Sequence, residues 1–227
     1  MQAEAEEVRR RLKDLGDPRA AALARRALRS PWRFHGVVPP SVRAIARQAA
    51  RRHRGDRDLA KVLAVARRLW ASRWHEEKSA ALQMVAALTR RLEPAYWDEF
   101  KSWLRGVRTA DHCDLLATAI LGPLVKRDRT WCRVLKHWTL SKNVWERRAA
   151  VGAVFLRVHH MGDAEAGLGI CEPLMRDRAP QVQEALVTLL RESLAVAPDE
   201  TQSFLIRWRG KAHPALGKAL PPLKGVR

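Results

Sequence analysis

The chain has 227 residues, 47% of them hydrophobic, enough to bury a continuous core as one large domain or two small ones. Its 43 Lys and Arg stand against 24 Asp and Glu, and the resulting formal charge of +19 far exceeds what solubility requires, so a polyanionic partner is expected, nucleic acid first. No apolar run approaches the ~20 residues of a membrane span, the mixed-charge start Met1-Gln-Ala-Glu-Ala-Glu-Glu-Val-Arg-Arg has no signal-peptide core, and Cys113, Cys132 and Cys171 are too far apart for a zinc knuckle or a disulfide framework; these exclude a membrane partner and a structural metal and predict a cytoplasmic protein with reduced thiols and no cofactor.

Ala, Leu, Arg and Glu fill most windows and strict alternation is absent, which predicts an all-α chain. Breakers at Gly16-Asp17-Pro18, Ser30-Pro31, Pro39-Pro40, Gly55-Asp56, Pro94, Gly106, Gly122-Pro123, Gly162-Asp163, Ala179-Pro180, Pro198, Gly210 and Pro214 divide it into short helices. The loop from Ser30 to Pro40 holds Trp32, set apart from the tryptophans at helical spacing (Trp70, Trp97, Trp103, Trp131, Trp138, Trp145), and turns Arg33 or His35 toward solvent; Arg43 follows in the next helix. With no Ser- or Gly-rich linker anywhere, residues 1–227 read as a single domain.

An internal repeat emerges when the helices are aligned. Trp70, Trp103, Trp138 and Leu174 lie 33, 35 and 36 residues apart, and each is followed eleven residues later by Ala81, Asp114, Ala149 and Ala185 respectively. Helix pairs at this period predict a HEAT-like helical-repeat solenoid, and the charge predicts a basic concave face. Asp114 is the irregular member, a carboxylate where three sister repeats carry a small apolar side chain, and burying it unpaired would be costly. Thr109 as a cap and Asp111 as a dipole-complementing acid account for the polar start of the same helix.

The turn Ser141-Lys142-Asn143 leads into a helix on which Ser141 or Asn143 can cap, Lys142 flanks the entry, and Arg147 and Arg148 project from the first turns, a set suited to phosphates. His159-His160 have no acidic ligand at helical spacing on the same face, and His112 points away from Cys113, so neither a metal nor a thiolate catalyst is predicted. No glycine-rich phosphate loop precedes a strand, which argues against a nucleotide hydrolase.

Four stretches resemble the AlkD-type DNA alkylation repair glycosylases, a family of HEAT-like bacterial proteins. "FHGVVPPSVRAIA" looks like the family's Phe-x-Gly segment, "ARRLWASRWHEEKSAALQMV" is similar to its Leu-Trp turn with a Glu- and Ala-rich helix, "ADHCDLLATAILG" resembles the helix of its catalytic aspartate, and "SKNVWERRAAV" its Ser-x-Asn-x-Trp-x-x-Arg-Ala-Ala signature. The resemblance implies Asp114 as the catalytic carboxylate and Arg148 as a DNA-contacting arginine, joined by the expected phosphate contacts of Arg147, Lys142, Arg33 and Arg43. It implies a monomer on double-stranded DNA that excises N3- or N7-alkylated purines. Two aromatic positions of the family are occupied here by Ala110 and Thr188. The alternatives are a non-catalytic relative that binds distorted or branched DNA and a HEAT-type scaffold for an acidic protein.

Overall fold

The computed structural model describes residues 1–53 and 59–219, so the Gly55-Asp56 breaker lies outside the described residues. Secondary structure is helical throughout them, apart from one isolated bridge between Arg33 and Trp74. The chain forms two compact units, Met1–Leu115 and Leu116–Arg227. The first carries α1 (Gln2–Asp14), α2 (Pro18–Leu28), α3 (Pro39–Arg51), α4 (Leu59–Trp70), α5 (His75–Ala86), α6 (Trp97–Trp103) and α7 (Ala110–Asp114). The second carries α8 (Gly122–Arg127), α9 (Trp131–Trp138), α10 (Val144–Met161), α11 (Ala164–Cys171), α12 (Pro180–Val196), α13 (Pro198–Trp208) and α14 (Pro214–Ala219). Within each unit consecutive helices stack on their neighbours in the manner of a solenoid: α5 packs on α3 and α4, and α10 on α8, α11 and α12.

The repeat anchors occupy equivalent places. Trp70, Trp103 and Trp138 are each the last residue of their helix, Leu174 closes a short 3-10 turn, and all four are buried. Ala81 and Ala149 have no exposed surface, because a larger side chain there would hold their helices apart; Ala185 is half-buried. Asp114 is half-buried at the C-terminal end of α7. The helix predicted through this region is α-helical only to Asp114 and continues as a π-helix over Leu115–Leu121, a rare geometry often associated with functional positions. Among the described residues, no helix is long and apolar enough to cross a membrane.

The loop between α2 and α3 is fixed by a collision that only glycine avoids. Gly36 has φ +83°, and a Cβ there would lie 2.0 Å from the Asp17 carbonyl oxygen and 2.7 Å from the Ala21 nitrogen. Gly162, which ends α10 at φ +65°, has nothing within 4 Å of the same position. Gly162→Ala should therefore cost only the left-handed backbone strain, about 1 kcal/mol. Gly36→Ala adds the steric clash and should cost at least about 2 kcal/mol. Urea unfolding of the two variants checks the difference; equal losses would mean that the approach to Asp17 is unimportant.

Candidate functional site

The first turn of α5, His75-Glu76-Glu77-Lys78, is the most polar start of any helix in the first unit, and all four residues are buried. Both carboxylates and the lysine are satisfied by groups outside the turn. Glu76 Oε1 accepts from the backbone N–H of Gly36 at 2.7 Å and of Val37 at 3.3 Å, and its Oε2 accepts from His35 N–H at 3.0 Å. Glu77 meets the Arg9 guanidinium at 3.0 Å and His35 Nε2 at 3.2 Å. Burial pushes the Glu77 carboxyl up, but the hydrogen bonds from His35, Ser72 and Arg9 more than offset this and hold it below its usual range. Two acids in a first turn also complement the helix dipole. Backbone bonds between the two loop segments of this junction, Arg33 N–H to Arg73 O and His75 N–H to Arg33 O, complete it.

Lys78 donates to the Trp70 carbonyl, and its ammonium lies 4.4 Å from the Trp70 ring centroid and 4.5 Å from that of Trp32. Trp32, apart from the other tryptophans in sequence, thus covers a buried cation. Burial, with the Arg108 charge, depresses this amine to about 8.

His75 extends the polar turn toward α7. Its ring stacks on Phe34 (4.8 Å) and on His112 (4.2 Å), and its Nε2 is 2.9 Å from Asp111 Oδ2. His112 Nε2 is 2.9 Å from Ser79 Oγ. Burial and the neighbouring His75 charge lower His112 to about 3, so it is neutral at physiological pH. Burial raises the Asp111 carboxyl, but the close approach and charge of His75 overcome this and hold it well below its ordinary value, although 46% of its side chain is exposed. Thr109 is the N-cap residue of α7 but makes no side-chain bond to the helix. Phe34, Val37, Arg43, His75, Ser79, Gln83, Asp111 and Leu115 line a cleft of about 400 Å³.

Among the residues picked from the sequence, Asp114 closes α7, one turn beyond Asp111. Arg33 and Arg43 are exposed, and Arg43 borders the cleft. Of Arg33 and His35, one of which was expected to face solvent, Arg33 does so, whereas His35 stacks on Trp74 at 3.9 Å and is buried against Glu77. In the second unit Asn143 caps α10 through Trp145 N–H, and Lys142 is exposed. Arg147 and Arg148 do not project as predicted. Arg147 bonds Asp177 at 2.6 Å and the Ser141 carbonyl at 2.8 Å; Arg148, 7% exposed, bonds the Gln181 carbonyl and meets Glu184 at 3.2 Å. Their acidic partners come from the segment leading into α12 and from α12 itself, beyond the reach of helical spacing. Thr188 is exposed and bonds the Glu184 carbonyl of its own helix. Cys113 and Cys171 are buried and Cys132 half-buried; burial raises the Cys132 and Cys171 thiols, which makes them poor nucleophiles. Sequence reasoning missed His75, Ser79 and the role of Lys78, whose one signal was a run of ionisable residues opening an otherwise alanine-rich helix.

The pH dependence of Lys78 has a defined sign. With the folded amine near 8 and a reference value of 10.5, the native state binds fewer protons than the unfolded chain between those values, so stability rises with pH across that window and the burial cost is largest below it. Relative to Lys78→Met, the wild type should gain stability between pH 8 and pH 10.5, measured by urea unfolding. A constant difference would contradict the depressed amine.

A family model described as "DNA alkylation repair enzyme" matches residues 8–222. Among curated proteins, none matches the chain. Among solved structures, a predicted DNA alkylation repair enzyme from Enterococcus faecalis superposes with a TM-score of 0.77 at 15% identity, over 90% of this chain and 94% of that one. The protein smu.31 from Streptococcus mutans UA159 follows with a TM-score of 0.62 at 15% identity, over 80% of this chain and 92% of that one. At such identities the likeness establishes the shared all-helical fold.

Proposed function

We infer the reaction from a fixed premise: this chain belongs to the DNA alkylation repair enzyme family. It acts in the cytoplasm as a monomer on double-stranded DNA, with residues 1–227 working as one repair domain, and hydrolyses the N-glycosidic bond of N3- or N7-alkylated purines. The observation that carries this reading is the retained Asp114, half-buried at the end of α7 where the repeat elsewhere has a small apolar residue.

An alkylated purine already bears positive charge and leaves readily, so the protein's task is to stabilise the sugar cation. A carboxylate in fixed position does this electrostatically and orients the attacking water, with no reorganisation at the moment of reaction. Asp114 is assigned that role. The exposed Arg33, Arg43 and Lys142 take phosphates, which position the duplex without reading sequence. Arg148, held against α12 by the Gln181 carbonyl and Glu184, is assigned a phosphate contact from the first turns of α10, and Arg147 supports the Lys142 turn through its bonds to the Ser141 carbonyl and Asp177. The net charge of +19 supports a strongly salt-dependent affinity.

One observation favours a binding-only relative: Ala110 and Thr188 offer no aromatic face to a lesion, and the Thr188 hydroxyl is turned onto its own helix. Release of methylated bases from alkylated duplex DNA separates the readings. For the glycosylase, Asp114→Asn should lower release by roughly 100-fold or more, while duplex affinity is kept or raised because a negative charge facing phosphate is removed. Full release by the variant refutes the role of Asp114, and no release by either protein supports the binding-only relative.

A further inference from the structure

The cluster of His75, Asp111 and His112 is more than the mechanism above uses. One ring nitrogen of each histidine and a carboxylate oxygen of Asp111 all lie within 4.8 Å of one another, although the residues come from two helices. The histidines are buried, His112 almost completely, whereas Asp111 is open to solvent on the cleft. Two of the four imidazole nitrogens, His75 Nε2 and His112 Nδ1, are shielded from water and make no hydrogen bond of acceptable geometry; the short approach of His75 Nε2 to Asp111 is misaligned. Buried nitrogen atoms are rarely left in this state without a ligand to explain them. The other acid of the cleft is already committed, since Glu76 spends both oxygens on the backbone of His35, Gly36 and Val37.

We propose that His75, Asp111 and His112 form a binding site for a first-row divalent transition metal of the zinc type. Two imidazoles and one carboxylate suit Zn²⁺ or Co²⁺ and not Mg²⁺ or Ca²⁺, which prefer oxygen ligands. Three protein ligands with one edge on an open cleft leave a coordination position for water or an anionic oxygen, as catalytic zinc sites do and structural ones do not. His112 is oriented by Ser79 Oγ at 2.9 Å, a polar support of the kind ligand histidines use. The two rings stack with 22° between their planes. Imidazole binds metals in its ring plane, so a shared ion turns His75 out of the stack, and this cost weakens the site relative to a rigid structural zinc site. Helical spacing covers one helix at a time and so carries no sign of His75 of α5 meeting His112 of α7. The metal site stands independently of the glycosylase assignment.

Titration of the metal-free full chain with Co²⁺, followed by its d–d absorption, and competition with Zn²⁺ test the proposal. One equivalent should bind with a nitrogen-containing coordination spectrum, Zn²⁺ should displace it, and excess Mg²⁺ should not. Asp111→Ala and His75→Ala should each weaken binding by roughly tenfold or more, while His160→Ala, on the exposed end of α10, should leave it unchanged. Asp111→Asn, with circular dichroism to verify folding, provides a second carboxylate variant of native shape. Absence of Co²⁺ and Zn²⁺ binding by the wild type, or wild-type affinity in folded Asp111→Ala and Asp111→Asn, would overturn the site.

Discussion

Three backbone N–H groups converge on the buried carboxylate of Glu76, and the first unit is organised around that contact. An ionised carboxylate away from water is tolerated only when its lone pairs are filled, and here the loop residues His35, Gly36 and Val37 fill them. The exchange works in both directions: the loop N–H groups, which no regular structure pairs, are satisfied by the helix. Gly36 is what lets the backbone come close enough, since a side chain there would strike Asp17. The rest of the turn repeats the logic, with Glu77 holding Arg9 and His35, and Lys78 set between two tryptophans.

Rigidity at this junction is passed to α7, a helix of only five residues with little capacity to hold itself. His75 sits between Phe34 and His112, and Ser79, one turn further along α5, reaches His112. α7 is therefore tied to α5 by a ring stack and a hydrogen bond, and Asp114 ends it. In physical terms, the loop of the stretch "FHGVVPPSVRAIA" and the polar turn of "ARRLWASRWHEEKSAALQMV" form the support on which the carboxylate helix is placed.

Much of the fold was legible in the residues. Helix-forming composition and the spacing of Trp70, Trp103, Trp138 and Leu174 identified stacked helix pairs, because large side chains that close a helix must be buried wherever they recur. Asp114 stood out because it broke that register. The burial of His75, Glu76, Glu77 and Lys78 was not legible: a run of ionisable residues at a helix start reads as a solvated turn, and its partners Arg9, His35, Trp32 and His112 lie in other segments. The same limit hid the pairing of Arg147 with Asp177 and of Arg148 with Glu184, since counting charges says how many arginines exist and not which find an acid. The π-helical stretch after Asp114 also left no periodic signature, being one extra residue in a turn.

Amide hydrogen exchange of Glu76→Gln tests most directly whether this carboxylate supports the site helix. Replacing one oxygen by an amide turns a donor toward the His35 N–H while keeping the shape of the side chain. Exchange should accelerate by about tenfold or more both at residues 35–37 and at 111–114, with α10 and α12 in the second unit unaffected. Faster exchange confined to residues 35–37, with α7 as protected as in the wild type, would contradict the account.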